Sequence, residues 1–153
     1  MVEVVESTAP EVEPGRAIAY VDGSYSIKDN RFSYGLVMFV KNEELLMNKA
    51  FSHDELALMR NVAGEIMGAA QAMKLARKMK IQRLTIYHDY EGIAKWCTGQ
   101  WRTKKVWTAK YKKFYDEVSG DVKIEFVKVE GHSGDKYNDL ADSLAREALG
   151  INN

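Results

Sequence analysis

The stretch AIAYVDGSY, residues 17–25, is a β-rich run that reaches an acidic residue, Asp22, and continues into glycine and serine. Its small and branched apolar residues are typical of a buried strand. A carboxylate at the rim of a core is costly unless a cation, a hydrogen-bond donor or a metal ion compensates it. We therefore expect the strand to end at Asp22 and a compensating group to lie beside it.

Two further strands follow at short intervals. FSYGLVMFVK, residues 32–41, comes after a polar turn around residues 28–31, and ELLMNKAFS, residues 44–52, comes soon after that. Three successive strands with short polar connections predict an antiparallel meander.

The hydrophobic period changes beyond the third strand. Apolar residues recur at helical spacing from Asn61 to about Lys80, and RLTIYHD, residues 83–89, is a strand that ends on a second acid, Asp89. The remaining segments are a short helix (91–98), a longer helix (108–118) with Thr108 as its N-cap, a strand (122–132) and an amphipathic helix (135–150). This order predicts an α/β fold with a mixed five-stranded sheet, three antiparallel strands followed by parallel strands, flanked by helices.

Length and composition limit the class of protein. With 153 residues and 46% hydrophobic content, we expect a single domain over residues 16–150, a flexible tail or linker over residues 1–15, and a short tail over residues 151–153. The single cysteine, Cys97, excludes a disulfide framework and a thiolate metal cage, and we expect it in the core. No segment has the length of a membrane span or the layout of a secretion signal, which favours a reducing, cytoplasmic location. The helical patterns require no partner face, so we expect a monomer.

The net charge is zero, but the charges are unevenly distributed. Four acids precede Arg16, and from Arg16 onward 22 basic residues accompany 18 acidic ones, which leaves that part at +4. Residues 102–113 hold six basic residues and no acid, with Trp107 and Tyr111 among them, and residues 74–83 form a second acid-free basic run. Each run indicates either a polyanionic partner or a solvated helix face.

Four carboxylates are placed so that one site could contain them. Asp22 and Asp89 end predicted strands, where open α/β sheets bind ligands, while Glu65 lies early in the first long helix and Asp142 can face inward from the last. Singly, each could be a turn former, a helix-start acid or a surface acid. Together they would repel one another without divalent cations, and oxygen ligands suit Mg²⁺ or Mn²⁺. Two such ions roughly 4 Å apart can promote phosphodiester cleavage.

Four motifs then give the chain a family resemblance. VDGS at 21–24, RNVAGE at 60–65, HD at 88–89 and GHSGDKYNDLADSLA at 131–145 resemble, in order and spacing, the motifs of type 1 ribonuclease H. The resemblance implies the ribonuclease H fold and an endonuclease that hydrolyses the RNA strand of RNA–DNA hybrids, leaving 3′-hydroxyl and 5′-phosphate ends. It also implies two Mg²⁺ ions, with Mn²⁺ possible. The motifs are most similar to the subgroup whose longer members carry an N-terminal hybrid-binding domain, which we expect to be absent here.

The resemblance assigns roles to individual residues. It implies that Asp22, Glu65, Asp89 and Asp142 are metal ligands, since Asp139 falls three residues too early in the motif. It implies that His132, in a glycine-flanked loop, assists proton transfer or product departure, as a histidine can near neutral pH. The implied substrate contacts are Gly23, Ser24, Tyr25, Asn61, Trp101, Lys104, Lys105 and Trp107.

Several of these residues have ordinary alternatives. Asn61 could instead be a helix N-cap, and core packing could account for Trp101 and Trp107. His53 and His88 match no family role and are interpreted as structural.

The chain also departs from the family pattern. The loop after Asp22 is YSIKDNRF rather than glycine-rich, and position 91 is Glu where many members carry an amide. Two other functions stay open: a hybrid-binding or duplex-binding module without turnover, and another nuclease of the superfamily, of the resolvase or transposase type.

Overall fold

A computed structural model of the chain describes residues 2–6, 12–130 and 135–151. Its strands are β1 (Val2–Glu6), β2 (Arg16–Ser26), β3 (Arg31–Val40), β4 (Glu43–Phe51), β5 (Arg83–His88) and β6 (Lys123–Lys128). Its helices are α1 (Asp54–Ala57), α2 (Asn61–Lys78), α3 (Gly92–Thr98), α4 (Val106–Val118) and α5 (Lys136–Ala148). The strands form one mixed sheet in the order β1-β4-β3-β2-β5-β6.

This sheet confirms the predicted α/β class. Strands β2, β3 and β4 form the predicted antiparallel meander, and β5 and β6 continue the sheet in parallel from β2. Parallel neighbours end at the same edge of a sheet. The edge beyond β2 and β5 is therefore the place where residues from distant parts of the sequence meet.

The N-terminal segment differs from the predicted flexible tail. Val2–Glu6 form a sixth strand, antiparallel to β4 at the sheet edge, and Val12 is buried and donates its N–H to the Lys41 carbonyl at 3.3 Å. Valine favours strands, and β4 supplies the backbone partners that the isolated segment lacks. Residues 7–11 lie outside the described part of the chain, and the domain boundaries stay a prediction.

Two local predictions are wrong in detail. Strand β2 does not end at Asp22 but continues to Ser26, because its antiparallel pairing with β3 outlasts its parallel pairing with β5, which stops at Tyr20. Thr108 is not the N-cap of α4. The helix begins at Val106, and the Thr108 hydroxyl instead accepts from the Lys105 N–H and donates to the Lys105 carbonyl.

The helices form a layer on each face of the sheet. Helices α2, α3 and α4 share one core with the sheet, which includes Ile66, Ile93 and Tyr111. Helix α5 packs on the other face, where Ala141 contacts a second core containing Val37 and Phe39. Cys97 is buried in the first core, as predicted. Among the described helices, none combines the length and apolar character needed to cross a bilayer.

Glycines let the two long helices approach the sheet backbone closely. A Cβ added at Gly64 of α2 would lie 1.8 Å from the Ser33 carbonyl oxygen, and one at Gly23 of β2 would lie 2.0 Å from the Asn61 carbonyl oxygen. On the other face, a Cβ at Gly35 would lie 1.9 Å from the Ala141 carbonyl oxygen. Only glycine fits at these positions, so the sequence fixes how near α2 and α5 lie to the central strands.

Candidate active site

Three acids from different elements meet at the edge beyond β2 and β5. Asp22 lies on β2 past its last pair with β5, Asp89 directly follows β5, and Glu65 lies on α2. Each offers a carboxylate oxygen, and these oxygens lie within 4.8 Å of one another. Asp22 is 8% exposed and Glu65 is 2% exposed. The structure thus brings together three of the four predicted ligands in a largely buried cluster.

The backbone holds this cluster in place. Glu65 accepts hydrogen bonds from the Asp89 and Tyr90 N–H groups, both at 3.3 Å, and the Gly23 N–H donates to Asp22 Oδ1 at 2.9 Å. Gly64 and Gly23 allow α2 to contact β2 and β3 directly, and this close contact places Glu65 of α2 beside Asp22 and Asp89. The carboxylates of Asp22 and Glu65 are therefore oriented by main-chain contacts.

The cluster is electrostatically costly in the absence of cations. Burial and then the neighbouring Asp89 charge raise the pKa of Asp22 from its ordinary 3.8 to about 8, and Asp142 adds to this while the Gly23 N–H opposes it. Burial and then Asp89 also raise the pKa of Glu65 well above its usual range. Both shifts have the sign expected for carboxylates that share a dry site without a counter-ion.

Asp142 lies next to this cluster but is also paired with a cation. It lines the same cavity as Asp22 and Asp89 and contacts Asp22 closely enough to affect its pKa. Its Oδ2 lies 2.9 Å from the Arg146 guanidinium, one helical turn further along α5. Asp142 thus lines the cavity of the other acids with part of its charge already compensated by Arg146, and its role as the fourth ligand stays a prediction.

The donor set of this cluster fits a hard divalent cation. All of its candidate ligand atoms are carboxylate oxygens, the kind that Mg²⁺ and Mn²⁺ prefer, and no sulfur or imidazole belongs to the group. In the described part of the chain, this is the one cluster of three or more such groups close enough to hold an ion.

A cavity of about 370 Å³ surrounds the acids. The predicted contact residues Gly23, Ser24, Tyr25 and Asn61 all line it. The N-cap alternative for Asn61 is wrong, because the N-cap of α2 is Arg60 and Asn61 begins the helix.

Sequence reasoning missed three residues that line this cavity, Ile27, Arg60 and Arg146. Arg60 has a positive φ of 54° and holds its guanidinium 5.4 Å from the centre of the Tyr25 ring. Arg146 follows Asp142 at the i,i+4 spacing of helical ion pairs, and this spacing could have revealed it. The sequence carries no comparable signal for Ile27.

A second cavity, of about 340 Å³, lies beside the first across the start of α2. Lys104 and Lys105 line it together with Arg102 and with the aromatic residues Trp96 and Tyr90. The predicted basic contacts therefore lie next to the acidic cluster rather than in it.

The two predicted tryptophan contacts pack against the protein body. Trp101 lies against Tyr90 and Trp96 with Lys95 over its ring, and Trp107 packs in the cluster of Phe32 and Leu56. Both are half-buried, so packing against the protein body accounts for much of the surface of each side chain.

The histidines separate into two groups. His132 lies outside the described residues, so its predicted role stays a prediction. His53 accepts from the Leu56 N–H at the start of α1, and His88 is 1% exposed, with burial lowering its pKa. Both have structural contacts, as interpreted from the sequence.

Comparisons with known proteins agree with this geometry. A sequence model of the family described as RNase H matches residues 14–150. A protein named Ribonuclease H from Pseudoalteromonas translucida (strain TAC 125) is 28% identical over 142 residues, which cover 86% of this chain and 88% of that protein.

Two solved structures share the fold. RNase H1 from the halophilic archaeon Halobacterium salinarum NRC-1 aligns with a TM-score of 0.70 and 20% identity, covering 88% of this chain and 98% of that chain. LC11-RNase H1, solved in complex with an RNA/DNA hybrid, aligns with a TM-score of 0.67 and 13% identity, covering 87% of this chain and 99% of that one.

Proposed function

The chain belongs to the RNase H family, and from this premise we propose that it is a ribonuclease H that hydrolyses the RNA strand of RNA–DNA hybrids. The observation that carries the proposal is the meeting of Asp22, Glu65 and Asp89, whose carboxylate oxygens lie within 4.8 Å of one another. Two comparisons support the same substrate. A relative named Ribonuclease H aligns with this chain over most of its length, and an RNase H1 solved with a hybrid shares the fold.

We further propose that the cofactor is a pair of Mg²⁺ ions, with Mn²⁺ as the alternative. Asp22, Glu65 and Asp89 would hold them. Asp142 would become a further ligand if its ion pair with Arg146 loosened. When bound, such ions supply an activated water and stabilise the leaving oxygen. The oxygen-only donor set and the raised pKa of Asp22 and of Glu65 support this assignment.

The chain's own residues orient the carboxylates and would bind the substrate. The Gly23, Asp89 and Tyr90 N–H groups fix the carboxylates of Asp22 and Glu65. Gly23 and Ser24 line, with Asn61, the cavity through which an RNA strand would pass, and we propose that they contact its 2′-hydroxyl groups. His132 is proposed to assist proton transfer or product departure.

The neighbouring basic cavity suits the other strand of the duplex. It contains three cations, Arg102, Lys104 and Lys105, together with the aromatic residues Trp96 and Tyr90. We propose that Lys104 and Lys105 bind phosphates of the DNA strand, and that Trp101 and Trp107 support this surface. Cations contacting phosphates would fix the register of the duplex without reading its sequence.

We also propose a monomer in a reducing cytoplasm. The large apolar side chains that are exposed in the described residues, such as Ile27, Leu58 and Val106, are scattered singly, as is normal for a protein without a permanent partner. Burial raises the pKa of Cys97 to about 12, which suits an unreactive thiol. Light scattering of the purified chain would measure its mass, and a dimer mass would overturn the monomer.

Cleavage of a hybrid with a labelled RNA strand tests the proposed function. In Mg²⁺ the wild-type chain should cut the RNA strand and leave 3′-hydroxyl and 5′-phosphate ends, and Asp89→Asn should not. Duplex DNA, duplex RNA and a four-way junction serve as comparison substrates. Equal cleavage by the two proteins, or a preference for the junction, would refute the proposal.

A further inference from the structure

A third cavity lies on the other side of the β5–α3 connection from the acidic cluster. It has a volume of about 340 Å³, in the range of small-ligand sites. Asp89 lines the acidic cavity, whereas the preceding residue, His88, lines this one. The wall is formed by the outer side of α3 and by one face of β6.

His88, which lines this cavity, has a buried and unused acceptor. Its Nδ1 lies 2.9 Å from the Tyr90 carbonyl oxygen and, because a carbonyl only accepts, Nδ1 carries the proton of the neutral ring. Nε2 then keeps a lone pair, and it has no hydrogen-bond partner among the described residues although His88 is 1% exposed. Buried acceptors are normally paired, so a ligand that donates an N–H or O–H would satisfy it.

The remaining wall combines apolar, polar and charged side chains, with Lys95 and Lys128 as its cations and Glu91 as its acid. Side chains alternate along a strand, so Ile124, Phe126 and Lys128 share the face of β6 that lines the cavity. Phe126 packs edge-on to His88 with ring centres 5.9 Å apart. Across from β6, Lys95 is held by Glu91 at 2.6 Å.

Lys128 is the less constrained of the two cations. Its Nζ lies 3.9 Å from Glu130 Oε1, at the outer limit of an ion pair, and both side chains are largely exposed. Lys128 can therefore turn toward an anion at the rim at little cost.

We propose that this cavity is a nucleotide-binding subsite, in which a nucleobase lies against Phe126 and donates to His88 Nε2 while its phosphate lies against Lys128 and Lys95. A nucleotide combines the three features that the wall requires: a flat apolar ring, an N–H donor and an anion. The choice of a nucleotide rests on the proposed function. No metal site is implied, because His88 belongs to no cluster of potential ligands in the described residues.

Binding of adenosine 5′-monophosphate to the full chain tests this subsite. The titration is followed by amide NMR in EDTA, so that no cation at the acidic cluster can chelate the phosphate. We expect saturable shifts at α3 and β6, including Lys95, Phe126 and Lys128. Ribose 5-phosphate, which lacks the base, should bind roughly tenfold more weakly, because the stacking and the hydrogen bond to His88 are lost.

Two lysines of β6 provide a matched pair of variants. Lys128→Gln should weaken binding by roughly tenfold, as expected for loss of a charge-assisted contact, whereas Lys123→Gln should bind like the wild type because Lys123 lies on the opposite face at the other end of β6. Equal losses in the two variants, equal binding of ribose 5-phosphate, absence of saturation, or shifts centred on Asp22 and Asn61 would each overturn the subsite.

Hybrid cleavage in Mg²⁺ by the same preparation separates this proposal from the proposed function. Cleavage without binding of the mononucleotide would remove the subsite alone. Binding without cleavage would support the subsite and count against the proposed function.

Discussion

At the scale of single residues, the acidic cluster couples stability to pH. Asp22 has a pKa of about 8 in the folded chain against an ordinary 3.8, so between these values the folded state binds more protons than the unfolded state. The stabilisation that arises from this shift of Asp22 is then fully present below about pH 4 and is lost as the pH rises through about 8. Glu65 is shifted in the same direction.

We therefore expect the metal-free chain to be more stable at pH 5 than at pH 8.5, by on the order of 2 kcal/mol. Urea unfolding in EDTA at the two pH values measures this difference. Saturating Mg²⁺ should reduce it, because bound cations favour the charged carboxylates. A stability that rises with pH in EDTA would contradict the electrostatic description of the cluster.

The second prediction at this scale concerns the fourth carboxylate. Asp142→Asn should lower hybrid cleavage by roughly 100-fold or more, because it removes an oxygen ligand from the cavity of Asp22 and Asp89. Asp139→Asn is the matched control, because Asp139 is exposed near the start of the same helix. Steady-state kinetics on one hybrid compares the two variants, and equal activities would show that Asp142 is not a ligand.

Motifs alone identified the acids, but not their neighbours. VDGS, RNVAGE and HD each contain a carboxylate near a predicted strand end or helix start, and this can be read from the sequence. Arg146 and Arg60 act through positions in space: one lies a turn beyond Asp142, and the other has a positive φ that no motif announces. The i,i+4 spacing from Asp142 could have revealed Arg146, whereas the contact of Arg60 becomes visible only when the elements are assembled.

At the scale of elements, glycine contacts set the position of α2. Gly64→Ala should destabilise the chain by roughly 2–4 kcal/mol, because its methyl group would overlap the Ser33 carbonyl and force α2 away from β3. Gly120→Ala is the control, since its Cβ would have no neighbour closer than 3.5 Å and Gly120 has no positive φ. Urea unfolding of both variants measures the difference, and equal stabilities would contradict the close contact.

The sixth strand leads to a prediction about the sheet edge. Deleting residues 1–6 removes β1 and exposes the backbone of β4, which then becomes available for pairing with other chains. We expect hybrid cleavage to persist, because β1 lies three strands away from β2, while light scattering detects association at high concentration. A truncated chain that remains as monodisperse as the full chain would argue against this role of β1.

The strands differ in how well their sequences reveal them. The meander of β2, β3 and β4 was predictable because its apolar runs are separated by polar turns. Strand β1 was not, because VEVVE is followed by a segment with two prolines and its only described strand partner, β4, is distant in sequence. The extent of β2 was underestimated for a similar reason, since its last four residues depend on β3.

At the scale of the whole molecule, the uneven charge distribution predicts how a duplex is held. Replacing Lys104 and Lys105 by Gln should raise KM for a hybrid and reduce the slope of log KM against log salt by about one to two, because each phosphate contact releases counter-ions. The paired control replaces Lys74 and Lys78, at the far end of α2, and should change neither. Equal effects of the two pairs would mean that net charge alone governs binding.

The overall architecture was predictable because local pattern and tertiary structure agree. The alternation of strands and helices predicted the mixed sheet, and Asp22 and Asp89, the acids at the predicted strand ends, indicated where a site would form. The proposed DNA-binding surface was harder to predict, since Lys104 and Lys105 belong to a basic run that a solvated helix could equally well carry. Only the folded structure, in which Trp96 and Tyr90 line the same cavity as these lysines, shows that the run borders a cavity.

The origin of the four carboxylates has a consequence for the maturing polypeptide. Asp22 and Asp89 come from the sheet, Glu65 from the helical layer on one face, and Asp142 from α5, the last helix, on the opposite face. A chain that is still being synthesised lacks α5, so it cannot yet assemble the full constellation. Assembly of the site would thus require α5 to have been synthesised and docked on the sheet, so hybrid cleavage would not begin on chains that stop before α5.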